Sequence, residues 1–469
     1  MNEWPLEARL SALSPLDGRY ADQCAGLREL FSEASLIRHR LRIEILYLAA
    51  LLPFLRLGEL GASDCQDLLN WSQNLSHAEL ERLKALEDRT RHDLKAIELL
   101  LREHLQKTPR AWCSPWIHWG LTSEDVDNLA YGLMLKQANE RVIVPAELAL
   151  LRLVLRMARE HVAVVMPART HGQIAVPTTM GKELVVFASR AAYFLEKLRS
   201  HRFGGKLSGA VGNFNAQALL FPERDWIGFS QQFVAGLGLE PTPATTQIEP
   251  ASQLVHFLDL LRQLNNVWLG LARDLWLYAS LGYLRQKAVS GEVGSSTMPH
   301  KVNPIHFENA EGNLQTANAL LAFLSDKLAL SRLQRDLSDK TVKRNLGVAF
   351  GHGLVAVRSL SDGLERIAPD QPRLRHEVAT HHEMMAEAVQ LLLRARGDEQ
   401  AFAAVQDRVR GSEQAWPRLM DALPTDVRAT VASWRPEEYI GLARELTMRE
   451  VERIHTVFAD TEHPPARAN

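Results

Sequence analysis

Cysteine is scarce: Cys24, Cys65 and Cys113 are the three in 469 residues. They are odd in number, far apart and without metal-ligand spacing, so neither a disulfide framework nor a cysteine-type zinc site is expected, and a reducing cytoplasm is the simplest setting. Long apolar runs are lacking as well. The longest, Ile45 to Leu55, is about half of the ~20 residues a bilayer span needs and contains Pro53. The opening MNEWPLEARL carries early acids and no apolar core, so a secretory signal is not expected. Nor is there an excess of one charge: 54 Lys plus Arg nearly balance 56 Asp plus Glu, for a formal charge of −2. That balance excludes a global attraction for nucleic acid or anionic membrane, and any anion site must be local.

Strand-like alternation is scarce too, whereas apolar residues recur at helical spacing over long stretches. Leu254, Phe257, Leu258, Leu261, Leu264, Trp268, Leu271, Leu275 and Tyr278 form one stripe, and similar patterns occupy roughly 124–160, 178–202 and 305–330. The last begins just after Pro304, a residue suited to a first helical turn. Helices of this length exceed the usual ~10–14 residues and predict a mainly α fold around a long central bundle. Thr108-Pro109, Ser114-Pro115, Ala368-Pro369 and Gln371-Pro372 punctuate the chain. They predict an N-terminal helical domain at 1–111, a central bundle domain at 112–364, and a C-terminal helical domain at 365–469 whose HPPARAN end frays. Trp268, Trp276 and Phe323 widen the apolar surfaces of the bundle helices beyond what one thin bundle hides. Oligomerisation is one solution, and a larger monomeric core is the other.

Two motifs are weak. Gly204 to Gly212, GGKLSGAVG, fits neither the Walker A loop nor the dinucleotide fingerprint and reads as a Gly-rich turn. In His376, Glu377, His381, His382 and Glu383 the first two histidines are five apart, so a helix does not align them as HExxH does, and a solvated helix face is expected. Residues 291–304, GEVGSSTMPHKVNP, are the strong signal. Two glycines, two prolines and paired serines interrupt two helical patterns, which predicts a mobile loop at 290–304 leading into a helix N-terminus. Free N–H groups and the positive dipole end, with Lys301 and Asn303 beside them, suit an anion. Ser295 and Ser296 could be nucleophile, base or plain loop hydroxyls. The GxSxG elbow is absent and neither has a lysine three residues on, so covalent acyl chemistry lacks its usual signs.

Gly294 to Pro304 matches all eight fixed letters of GSSxMPxKxNP, and in this the chain resembles the fumarase/aspartase superfamily. SPLDGRY (14–20), RHD (91–93), TSED (122–125), RTHGQ (169–173), TTQIEP (245–250) and QRDLSD (334–339) are similar to its bacterial adenylosuccinate lyase branch. The resemblance implies a three-domain, fumarase/aspartase-like helical fold. It also implies a homotetramer with shared active sites, no metal or organic cofactor, and β-elimination of fumarate from adenylosuccinate or SAICAR. By the same resemblance Ser295 is the general base, and His171 is the general acid that protonates the departing nitrogen. His92 is the second site histidine, and Lys301 stands beside the base. Arg19, Tyr20, Arg335 and Arg344 are implied to contact the phosphate or the succinyl carboxylates. Thr122, Ser123, Gln247, Ser296, Asn303 and Asn309 are implied around the succinyl group, and Asp93 and Thr341 lie in the matching segments. Thr122 with Asp125 also reads as a helix-capping pair.

Three departures from that pattern stand out. Arg91 replaces a usual asparagine, Lys340 a usual serine, and Ala251-Ser252 a common His-Asp. The two added cations are expected either to face the phosphate or to point into solvent. Together the departures keep open a paralogous lyase acting on another N-succinyl compound.

Overall fold

The computed structural model describes residues 5–287, 291, 297–298, 300–412 and 414–459. It is mainly helical, with short two-stranded sheets. Two compact units form. The first gathers Met1–Ala146, Lys197–Asn265 and Asn313–Val355; the second gathers Glu147–Glu196, Asn266–Gly312 and Ala356–Asn469. Each division falls inside a helix and not in a Pro- or Gly-rich linker.

The early helices are α1 (Glu33–Phe54), α2 (His77–Thr90), α3 (Asp93–Leu105) and α4 (Ser123–Ala138). The pattern expected over 124–160 is α4, one π turn at Asn139–Ile143, and α5 (Val144–Glu160). The other long patterns become α6 (Met180–Ser200), α7 (Ser252–Ser280) and α8 (Ile305–Leu328). A short α9 (Ser338–Lys343), then α10 (Leu346–Glu365) and α11 (Gln371–Thr380), complete the elements that matter for function. Among the described residues no helix is long and apolar enough to cross a membrane.

Local chemistry sets the helix ends in the first unit. Ser32 caps α1 by accepting the Ser35 N–H at 3.3 Å. Ser76 and Glu79 form a reciprocal capping box on α2, with the Ser76 N–H donating to Glu79 at 2.7 Å. The core of this unit is built where α1 packs on α4, with Leu41, Ile45, Leu48, Leu52, Val126 and Leu129 all buried. Each such side chain contributes about 1.5–3 kcal/mol on leaving water. An aromatic cluster extends it: Phe54 stacks on Phe229 with ring centroids 4.4 Å apart, and Tyr47 meets Phe233 edge-on.

In the second unit, β1 (Val165–Thr170) and β2 (Gln173–Thr179) form an antiparallel hairpin that packs against α11. Val165 pairs with Thr179, and Thr170 with Gln173, so the connection is two residues long. A second antiparallel pair joins β3 (Leu284–Gln286) to β4 (Ile367–Pro369). Val389, Leu393, Val405, Leu419, Val427 and Val431 make a separate small core in the last third of the chain.

Candidate active site

Three of the expected site residues of the first unit, Asp93, Lys340 and Arg344, meet in one charged cluster. Asp93, the first residue of α3, accepts from Arg40 at 2.9 Å, from Lys340 at 2.8 Å and from the Leu94 N–H at 2.9 Å. Arg40 also donates to Asp127 at 2.6 Å, and Lys340 approaches the other Asp127 oxygen at 3.2 Å. Burial alone would push the Asp93 carboxyl up, but Arg40 and Lys340 outweigh it and hold the group well below the usual carboxylate range. Lys340 therefore does not point freely into solvent: it ties α9 to α3 and α4. Arg344 lies 3.7 Å from Asp93 and its side chain is 53% exposed. With Arg40, Asp93 and Tyr131 it lines a cavity of about 210 Å³. A second cavity brings Arg344 together with Ser14, Leu16 and Asp17 of SPLDGRY. Within that segment Tyr20 packs near Leu16 and Val355, and Arg19 is exposed.

Thr122 and Ser123 stand at the start of α4, where Asp125 accepts the Thr122 N–H at 2.9 Å, as the capping reading expects. The same carboxylate, fully buried, accepts from Lys206 Nζ at 2.8 Å, from the Ser208 N–H at 2.9 Å and from the Gly209 N–H at 3.1 Å. GGKLSGAVG is thus more than a turn: it cradles an anion, and that anion is a side chain of the same protein. Gln247 joins further motifs, donating to the Ala210 carbonyl at 3.0 Å and accepting from Arg335 at 3.1 Å. Arg335 in turn pairs with Glu124 at 3.2 Å, and Lys343 bridges Glu124 and Asp339. Burial would lower the Lys343 ammonium, but Glu124 and Asp339 outweigh it and the net shift is upward. Thr341 is exposed on α9.

His92 is the N-cap of α3, and its Nδ1 accepts the Lys95 N–H at 3.1 Å. Arg91, just before it, ends α2 in the left-handed region at φ 54°. Asparagine adopts that conformation more readily than arginine does, which gives a backbone reason for the residue usual at this position in the resembling enzymes. Ala251 is likewise left-handed, at φ 60°, and its N–H is held by Glu249 at 2.7 Å.

In the second unit, His171 and Gly172 are the two turn residues of the β1–β2 hairpin, at φ 52° and 75°. Positive φ at both central positions suits the right-handed twist of a hairpin, and histidine tolerates it better than most residues. The expected loop histidine is therefore the exposed tip of a ribbon. Arg169 fixes its base, donating to Tyr283 at 2.9 Å, to Glu377 at 2.8 Å and to the Gly172 carbonyl at 3.1 Å. Tyr283 donates to the same Glu377 oxygen at 2.7 Å. This corrects the solvated-face reading for Glu377, which faces the hairpin. Among the described residues no group of His, Cys, Asp or Glu is arranged to hold a metal ion. Lys301 is exposed and Asn303 half-buried ahead of α8, where Gln286 holds the Val302 carbonyl at 2.9 Å. Asn309 is half-buried on the first turns of α8. Ser295 and Ser296, and with them most of the glycine-rich part of the 290–304 loop, lie outside the described residues.

Sequence reasoning missed Lys206, Arg40 and Asp127, and also Glu44 with His118. Glu44 is fully buried and meets His118 Nδ1 at 2.6 Å, in the turn that leads to Thr122. Burial would lower the His118 imidazole, but Glu44 outweighs it and the net shift is upward. The left-handed His118, at φ 57°, and Gly120, at φ 72°, shape that turn, and Tyr47 donates to its Trp119 carbonyl at 2.8 Å. The available signal was charge at helical spacing on apolar helices, as at Arg40 and Glu44 in α1.

The fold is shared with known enzymes. A 3-carboxy-cis,cis-muconate lactonizing enzyme from Pseudomonas putida superposes with a TM-score of 0.74 at 20% identity, covering 92% of this chain and 97% of that one. A fumarate lyase from Mesorhizobium sp. BNC1 superposes at 0.72 and 18% identity, covering 91% and 97%. Residues 18–318 match the family model described as Lyase, which together with the fold defines a lyase of the fumarase/aspartase class. Residues 331–440 match the model described as Adenylosuccinate lyase C-terminal. Adenylosuccinate lyases of Legionella pneumophila (strain Corby) and Haemophilus influenzae are each 40% identical, over 93% of this chain and 98% of theirs. That of Escherichia coli (strain K12) is 38% identical over 94% and 98%. The chain belongs to the adenylosuccinate lyase family.

Proposed function

We propose that this protein eliminates fumarate from adenylosuccinate to give AMP, and from SAICAR to give AICAR, as a C–N lyase of purine nucleotide biosynthesis. The observation that carries the reading is identity of about 40% to adenylosuccinate lyases along nearly the whole length of both chains. Ser295 removes a proton from the succinyl CH2, the carbon beside the one that bears the nitrogen. The electron pair forms the fumarate double bond as the C–N bond breaks, and His171 protonates the departing nitrogen. An amine leaves badly unless protonated, and a histidine can supply that proton near neutral pH. The hairpin tip anchored by Arg169 supports this role, because it projects His171 from a fixed base. Lys301 and Asn303 offer donors to the carboxylate on which charge develops. Thr122, Ser123, Gln247 and Asn309 surround the succinyl group, and Arg19, Tyr20 and Arg344 take the remaining anionic oxygens.

The protein acts in the cytoplasm as a homotetramer whose sites combine residues of several subunits. Support comes from apolar side chains exposed on the long helices, among them Tyr193, Trp276, Leu277 and Phe323. The three-domain division at 111 and 364 belongs to the same reading. The engagement of Lys340 by Asp93 and Asp127 weakens the case for a different N-succinyl substrate. Absorbance-monitored turnover of adenylosuccinate and SAICAR tests the activity, and Ser295→Ala and His171→Ala should each lower kcat by ~10²–10⁴-fold. Mixing the two inactive variants should restore part of the activity if sites are shared. No turnover by the native protein, or near-native kcat in either variant, would overturn the corresponding assignment.

A further inference from the structure

We infer that the buried Asp125–Lys206 pair is a positioning device for the elimination: fully enclosed, it touches no substrate, and through the 204–212 loop it sets where Thr122 and Ser123 stand relative to Gln247. The inference rests on the lyase reading for what those residues hold. Both side chains of the pair are 0% exposed, and their contact is 2.8 Å. Taking two charges out of water costs about as much as their attraction returns, so such a pair is weak evidence of a stabilising role. Its geometry says more. Asp125 Oδ2 accepts the Thr122 N–H at 2.9 Å and the Gly209 N–H at 3.1 Å, so one oxygen spans the start of α4 and the loop. Oδ1 accepts from Lys206 Nζ at 2.8 Å and from the Ser208 N–H at 2.9 Å. Lys206 Nζ also donates to the Gly209 carbonyl at 2.8 Å, which holds the loop around the carboxylate. One turn along α4, Asn128 takes the backbone of the same lysine on both sides, accepting its N–H at 2.8 Å and donating to its carbonyl at 3.0 Å.

The loop carries that position onward. The Ser208 and Thr245 hydroxyls share a hydrogen bond at 3.0 Å, and a side-chain carbon at Gly212, left-handed at φ 85°, would collide with the Thr245 carbonyl, so the loop lies directly on the TTQIEP backbone. Gln247 completes the path by donating to the Ala210 carbonyl at 3.0 Å. Thr122, Ser123 and Gln247 therefore share one reference point, the Asp125 carboxylate. An asparagine there cannot reproduce it, because its amide nitrogen only donates and either the Thr122 side or the Lys206–Ser208 side loses its acceptor. The anionic oxygens beyond the succinyl group fall to Arg19 and Arg344, outside this network, so binding survives a shift of the succinyl donors. The alignment of the succinyl group with its base and acid does not, and a misplacement of about 1 Å costs on the order of 10²-fold in rate.

The test compares the native full-length enzyme with Asp125→Asn, Lys206→Met and the double variant, by melting temperature and by kcat and KM for adenylosuccinate. Each single change disturbs a buried charge and lowers the melting temperature, whereas the double variant removes both charges at nearly constant volume and should melt above either single one. If the pair positions the site, kcat of the double variant, measured below its melting temperature, stays about 10²-fold under the native value while KM changes by less than about threefold. A merely structural pair would let kcat return with the melting temperature, so near-native kcat in a refolded double variant overturns the inference. Ser208→Ala keeps the pair intact and cuts only the hydroxyl contact to Thr245, so it reads the same path even where the paired variants fail to fold. It should lower kcat by roughly 2–10-fold, the worth of one neutral hydrogen bond, at unchanged KM, and native kcat in this variant would also overturn the inference. No fumarate release by the native enzyme overturns the lyase reading and this inference with it, whereas an active native enzyme beside an equally active double variant overturns the inference alone.

Discussion

Replacing Lys340 with methionine keeps most of its volume and removes one charge from the Asp93–Asp127 cluster. The side chains of Lys340, Asp93 and Asp127 are 17%, 16% and 3% exposed, so the contacts at 2.8 and 3.2 Å are largely shielded from water. Removing one partner of a fully buried pair costs about 3–5 kcal/mol. Two features reduce that figure. Arg40 still holds both carboxylates, at 2.9 and 2.6 Å, and the 3.2 Å contact is an ion pair without hydrogen-bond alignment. A loss of about 1–3 kcal/mol at pH 7 follows, read as a lower melting temperature at fixed protein concentration. The pH dependence has a definite sign. Asp93 is depressed in the folded protein, so its contribution is fully present above the unfolded value of about 3.9 and is lost as pH falls through the folded one. Lys340→Met weakens that depression, so the gap from the native protein should narrow below about pH 4. Unchanged melting with a raised KM for adenylosuccinate would refute this reasoning and return Lys340 to the phosphate.

Two other outcomes follow from the backbone and the core. Arg91→Asn relieves a left-handed arginine at the end of α2 and should stabilise the protein by about 0.5–1 kcal/mol without altering kcat; an unchanged or lower melting temperature would count against it. Glu147 is fully buried against Trp268, whose Nε1–H donates to it at 2.6 Å, and burial pushes its carboxyl up to about 7. Because the folded value lies above the unfolded value of about 4.3, ionisation costs stability as pH rises from there to about 7. Glu147→Gln should then match the native protein near pH 4 and exceed it by about 2–4 kcal/mol at pH 8, and equal melting curves at both pH values would sink the argument.

The sequence made the long helices legible because apolar spacing records which face is buried, and that record is local. Motif letters such as RTHGQ and TSED were legible for the same reason. What they could not show is pairing across hundreds of residues. Nothing near Asp125 indicates that Lys206 closes on it, and nothing near Asp93 indicates that its partners are Arg40 and Lys340. GGKLSGAVG illustrates the limit. Its glycines do build an anion cradle, but composition cannot distinguish a bound phosphate from an internal carboxylate that supplies the negative charge. His171 shows the converse: a two-residue turn with histidine and glycine at positive φ was present in the letters, and was hidden because a short hairpin between long helices carries too little alternation to register as strands.

Charge accounting inside the first unit narrows which cations can serve an anionic substrate. Arg40, Arg335, Lys340, Lys343 and Arg344 surround Asp93, Glu124, Asp127 and Asp339, and Glu249 adds a carboxylate that interacts with Lys343, so the cluster holds no counted surplus and its cations differ in how far each is committed to a carboxylate. Four of the cations have side chains no more than 17% exposed and lie within 3.2 Å of a carboxylate, whereas Arg344 is 53% exposed and stands off at 3.7 Å. The cation least committed to a carboxylate is therefore Arg344, which lines the two cavities described above. Arg344→Gln should raise KM for adenylosuccinate by roughly 5–30-fold with little change in kcat, since a half-exposed charged hydrogen bond remote from the breaking bond contributes mostly uniform binding. Added salt should weaken native binding more than that of the variant, because a screened attraction has been removed. Arg335→Gln, by contrast, should lower the melting temperature, since it leaves the buried Glu124 with one cation fewer. If Arg335→Gln raised KM without loss of stability while Arg344→Gln left KM unchanged, the substrate contact would have been assigned to the wrong arginine.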